Sequence, residues 1–168
     1  MSNSLSRRGF GGGLAACLLL AEPARAKEVV ELTWDDLLPA GVPSRPPALS
    51  GVIQHDAAPL ARQQPVSSGV RTEWNGKTVR IPGFVVPLEH SGTGVVTFIL
   101  VPYVGACIHV PPPPANQLVL VTTARPYEIS DLFEPVRVTG ALATAATATE
   151  LAEIGYTLTA ERIEAYKP

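Results

Sequence analysis

The chain has 168 residues, 13 of them basic and 15 acidic for a formal charge of −2, with 17 prolines and only 6% aromatics. That length suits one domain able to bury a core without metal or disulfide staples. The weakly acidic balance excludes the basic face that nucleic acid requires, and the prolines favour short strands and turns over a helical bundle.

Residues 1–26 read as a signal peptide. Arg7 and Arg8 precede an apolar run over 14–21, and Ala24-Arg25-Ala26 forms a small-residue cleavage site before Lys27. Ser6-Arg7-Arg8-Gly9-Phe10 resembles a twin-arginine signal, whose pathway exports folded proteins. An ordinary secretory signal is one alternative. Lipoprotein anchoring through Cys17 is a lesser one, because Leu18, Leu19 and Leu20 carry the apolar run past that cysteine. The run is too short to span a bilayer, so the mature chain is expected in the periplasm without a transmembrane segment. Cleavage removes Arg7, Arg8, Arg25 and Glu22, leaving a charge of about −4. It also removes Cys17 and leaves Cys107 as a lone thiol with no intramolecular partner. In an oxidising compartment such a thiol must be buried, metal-bound or engaged in exchange.

Residues 27–70 read as an N-terminal extension with a short helix and a Pro-rich loop. Thr33 stands as an N-cap before Trp34, Asp35, Asp36 and Leu37, with Pro39 ending the turn and Trp34 and Leu37 laid on the domain. Residues 39–68 form a surface loop, broken by prolines, with one helical turn around 57–64. His55 lies in this loop, within reach of a site elsewhere.

Residues 71–168 carry the strand signals. Asn75-Gly76 marks a turn, and 77–88 is a strand rich in β-branched residues, with a bulge or sharp bend expected at Pro82-Gly83. Strands follow at 95–101, 117–123, 136–142 and 156–166, with a helical piece near 129–133 and a capped turn at 149–154. Five strands with a long bent first one give an all-β, OB-fold-like antiparallel barrel with minor helix; an irregular β-sandwich is the alternative. The expected core is Val79, Ile81, Val85, Phe98, Leu100, Leu118, Leu120, Val136, Val138 and Leu142.

The chemistry concentrates at 101–117, VPYVGACIHVPPPPANQ. In an extended segment side chains alternate, so Cys107 and His109 would share a face and present a thiolate and an imidazole suited to Zn²⁺, with Cu⁺ as alternative. Glu89 and His90 at the end of the first strand, or His55, would complete such a site. Pro111, Pro112, Pro113 and Pro114 hold the connection stiff, as a recognition edge or as a closure of the barrel mouth. Tyr103, Asn116 and Gln117 flank the pair, the two amides able to orient His109 or to satisfy loop backbone. A thiol-dependent enzyme is the third reading, disfavoured because no orienting group or oxyanion hole is visible.

The same stretch resembles the signature of DUF3299, a family of exported bacterial proteins of uncharacterised function. The likeness lies in Leu100-Val101-Pro102-Tyr103, Gly105-Ala106-Cys107-Ile108-His109, the proline run and Asn116-Gln117. It extends more loosely over 29–166, through TWDDLLP at 33–39 and KTVRIPGFVVPLE at 77–89. The resemblance implies a periplasmic accessory protein handling zinc beside ABC-transporter components or another periplasmic protein. The reading from the residues leaves open a metal-free interaction module that docks a partner through the Pro-rich edge.

Overall fold

The computed structural model describes residues 28–42 and 60–167; residues 1–26, read above as a signal peptide and including Cys17, and the stretch with His55 lie outside the described residues. Six strands form one sheet: β1 Val29–Glu31, β2 Thr78–Ser91, β3 Gly94–Val101, β4 Val119–Tyr127, β5 Pro135–Ala148 and β6 Glu153–Ala165. Five of them close into a barrel in the order β2-β3-β4-β6-β5 and back to β2. All neighbours in this ring are antiparallel except β4 and β6, which run parallel. The ring is thereby closed, and the result is the OB-fold plan.

Closure depends on β2 changing partners midway. Its first half pairs with β5 from Thr78↔Ala141 to Phe84↔Pro135, and its second half with β3 from Phe84↔Val101. Gly83 stands next to the handover, where a Cβ would lie 2.7 Å from Leu100 Cγ and 2.9 Å from the Val101 carbonyl. The register with β5 runs unbroken through Pro82 and Gly83, where a bulge or sharp bend was expected, and the irregularity of β2 lies further on, in its pairing with β3 around Pro87, Glu89 and His90. Gly140 plays a similar part between β5 and β6: a Cβ there would collide with the Thr159 carbonyl at 2.1 Å, next to a register shift.

Period-two alternation sends Val79, Ile81 and Val85, then Phe98 and Leu100, Val119 and Val121, Val136, Val138 and Leu142, and Tyr156 and Leu158 into one fully packed interior. The N-terminal segment belongs to that interior. Leu32 and Leu37 are buried in it, each contributing about 1.5–3 kcal/mol. The Tyr156 hydroxyl donates to the Leu37 carbonyl (2.7 Å) and accepts from the Arg71 N–H (2.6 Å). The Trp74 indole donates to the Asp36 carbonyl (2.9 Å). β1 adds in parallel along the first half of β2.

Several local expectations change. The turn Asp35–Leu37 is a single 3-10 turn, and Thr33 does not cap it. Instead the Asp36 carboxylate accepts from the Thr33 hydroxyl and N–H (each 2.7 Å), which hold its pKa below the ordinary carboxylate range. No helix forms at 129–133; bends and a turn lead to Phe133, which has φ +61°. Here the Glu134 carboxylate takes the Ser130 N–H (2.6 Å) and the Tyr127 hydroxyl (2.8 Å), a side-chain clamp that replaces helical hydrogen bonding. Leu118 is buried and Leu120 half-buried, but both belong to a second cluster outside the barrel.

Candidate functional site

The second cluster exists because β2 and β3 are apolar on both faces. Val86, Ile99 and Val101 point away from the barrel interior, and the stretch after β3 folds back over them. Ala106, Cys107, Leu118, Phe133, Ala152 and Ile154 complete this outer core. An outward strand face left this apolar would otherwise be exposed to water.

The stretch is wound, not extended. Gly105, at φ +90°, turns the chain so that its carbonyl accepts from the N–H groups of Ile108 (3.4 Å), His109 (2.9 Å) and Val110 (3.1 Å). Ala106 and Val110 form an isolated parallel bridge. Cys107 itself sits at φ +69°, a left-handed conformation that costs a non-glycine residue about 1–2 kcal/mol. The strict alternation expected for an extended segment therefore fails. Cys107 points into the outer core at 3% exposure, whereas His109 is exposed. Its ring lies 6.2 Å from the Phe133 ring, tilted by 46°.

Burial pushes the Cys107 thiol up to about 12, the opposite of what a nucleophile or a thiolate ligand needs. Tyr103, half-buried beside it, is raised by burial and then by Cys107. Glu89 and His90 do not join the pair in a group of three among the described residues. Glu89 and His90 lie at the far end of the β2–β3 hairpin, where His90 pairs with Val95 while the motif begins after Val101. Val95 and Val101 are six residues apart along β3, about 20 Å of strand at about 3.3 Å per residue. Glu89 is engaged there by the Thr97 hydroxyl (2.8 Å). Among the described residues no three His, Cys, Asp or Glu side chains converge as a metal would require. Among the described residues Cys107, His109, Glu89 and His90 are thus not assembled into one donor set, and His55 lies outside the described residues.

The second half of the motif serves the chain itself. Pro112 and Pro113 are buried and Pro111 and Pro114 half-buried, so the proline run is not a free edge. The Pro113 carbonyl accepts from Gln64 Nε2 (2.9 Å). After the run, the 3-10 turn Ala115–Gln117 buries both amides. Asn116 Nδ2 donates to Ser68 Oγ (2.9 Å) and the Gly69 carbonyl (2.7 Å), and Gln117 Nε2 donates to the Trp34 carbonyl (2.8 Å). The hydrogen bonds of both amides go to Trp34, Ser68, Gly69 and the neighbouring backbone, not to His109. Both fasten the N-terminal segments to the barrel.

What remains open to a partner is the first half. Val104 is 61% exposed, His109 is exposed, and Tyr103, Ile108 and Val110 are half-buried. The neighbouring 128–134 turn, which meets the loop at the His109–Phe133 contact, adds Leu132 at 46% exposure. Val104 and Leu132 were not legible as surface residues in the sequence; Leu132 sits in the stretch that reads as a helix. Among the described residues no helix is long and apolar enough to cross a membrane.

A family model described as DUF3299, "protein of unknown function", matches residues 34–165. The crystal structure of a DUF3299 family protein from Pseudomonas aeruginosa is similar to this chain at 39% identity and a TM-score of 0.71, covering 85% of this chain and 98% of that one. No curated protein matches the sequence.

Proposed function

The chain belongs to the DUF3299 family, and from that premise we propose that it is a protein-interaction module whose 103–110 loop docks a partner protein on an apolar surface. The observation that carries this reading is the combination of Val104 at 61% exposure with Leu132 at 46%, on two loops whose neighbouring residues are pinned in the outer core. A loop already fixed before binding loses little freedom on docking, which favours affinity. The partner meets Val104, Ile108 and His109, and not the proline run, whose two central residues are covered by the chain itself. The twin-arginine-like segment at 1–26 supports a periplasmic setting for this encounter. Zinc handling beside a transporter has no supporting ligand set among the described residues.

The test is affinity capture from a cell-envelope extract with the full mature chain. A partner retained by wild type is expected to be lost by Val104→Asp combined with Leu132→Asp. Val66→Asp, at a site 96% exposed and remote in sequence from the loop, is the control and should retain it. Equal behaviour of the two variants, or a partner held only when zinc is added, would end this reading.

A further inference from the structure

Between the 3-10 turn Leu60–Gln63 and Arg71, residues 64–70 are fastened chiefly by polar contacts. Along 64–70, Val66 is 96% exposed, Pro65, Ser68, Gly69 and Val70 are exposed, and Gln64 and Ser67 are half-buried. Gln64 is its first anchor. Its Nε2 donates to the carbonyls of Pro113 (2.9 Å) and Glu153 (2.8 Å), and its Oε1 accepts from the Glu153 N–H (2.8 Å). One carboxamide thus satisfies both backbone groups of Glu153, as a neighbouring strand would. Asn116 is the second anchor, through Ser68 Oγ and the Gly69 carbonyl, and its own buried Oδ1 has no partner. Two shallow grooves of about 540 and 420 Å³ adjoin the segment and share Ser67, Ala115, Ala148 and Glu153 in their walls.

We propose that residues 64–70 form a strap that opens as a unit while the barrel stays folded, with Gln64 as its latch. Segments with few buried apolar side chains and exposed hydrogen bonds lie at the low end of local stability, whereas strands paired on both sides open last. Opening ends where the Arg71 N–H is held by the buried Tyr156 hydroxyl. It frees the N–H and carbonyl of Glu153 and the carbonyl of Pro113, and it joins the two grooves along Thr144, Thr147 and Ala148. The strap is independent of the 103–110 surface, so either can fail without the other.

Native-state hydrogen exchange on the mature chain tests this. In wild type the Glu153 amide is expected to exchange through an opening insensitive to denaturant, faster than Val121 and Val138 in the barrel. Gln64→Ala should speed Glu153 exchange by about tenfold or more while leaving Val121 and Val138 unchanged. Gln64→Glu keeps the acceptor for the Glu153 N–H but removes both donors, and should fall between the two. The proposal is overturned if Glu153 in wild type exchanges only with global unfolding. It is overturned equally if Gln64→Ala leaves Glu153 unaffected, or lowers protection of the barrel to the same extent or prevents folding.

Discussion

The barrel interior and the outer core under the 102–118 loop are both fully buried, yet they are built in different ways. The interior is walled by the strands of a closed ring and contains side chains from every one of them, with Leu32 and Leu37 added from the N-terminal segment. The outer core has strands on one side only. Its roof is a loop whose 103–110 half is wound about the Gly105 carbonyl and held by the side chains it buries, and whose second half is tied to the N-terminal segments through Pro113, Asn116 and Gln117. A vacancy in the interior has rigid walls; a vacancy under the loop has a roof that can settle. The cost of a cavity depends on how far its surroundings collapse, so the two regions should respond unequally to the same kind of truncation.

Adjacent residues of β3 provide the sharpest test, since Phe98 faces the interior and Ile99 the outer core. Phe98→Ala should destabilise the fold by about 3–5 kcal/mol, whereas Ile99→Ala should stay near the low end of its range, about 2 kcal/mol. Chemical denaturation midpoints at constant m-value would read the difference, and equal losses would show that the loop is as rigid as a strand. A smaller effect is expected for Cys107→Ser, which leaves a hydroxyl in an apolar site at a cost of about 1–3 kcal/mol. The wild-type thiol should resist alkylation until the protein unfolds; rapid labelling in the native state would contradict its burial.

The same thiol makes stability depend on alkaline pH. Its pKa is raised from an ordinary 9.0 to about 12 by burial, so the folded state holds a proton that the unfolded chain releases. That contribution is complete below pH 9 and declines as pH rises toward about 12. Cys107→Ala should flatten this decline in thermal melts between pH 8 and 11, although Tyr127, raised to about 12 by burial and by Glu134, leaves a residual slope. The smallest effect belongs to the surface of the loop. Val104→Asp should change stability by no more than about 0.5 kcal/mol, because the residue packs on nothing that the outer core needs. A large loss there would mean that the loop apex is structural and not a docking surface.

The contrast also separates what could be read from the chain. The interior was legible: Val79 with Ile81, Phe98 with Leu100, and Val136 with Val138 alternate along strands, and alternation is a local property of extended backbone. Both Leu118 and Leu120 misled for the same reason, since apolarity alone does not say which of two buried faces a strand residue serves. At Cys107 and His109 alternation fails because the segment is wound about the Gly105 carbonyl and not extended. Gly105 was the local warning, a residue free to turn left-handed immediately before the cysteine.

The sequence by itself determined the all-β class, the five strands of the ring and the family, because each rests on short-range pattern or on a contiguous motif. Only the tertiary structure decided that Pro113, Asn116 and Gln117 serve as anchors for residues 34 and 64–69, that Cys107 is buried while His109 is exposed, and that Glu89 and His90 stand at the opposite end of a hairpin. Those facts depend on contacts between residues 47 to 83 positions apart and on the sense in which one loop winds. No local preference encodes either, since such contacts arise only when the barrel closes and brings distant segments together.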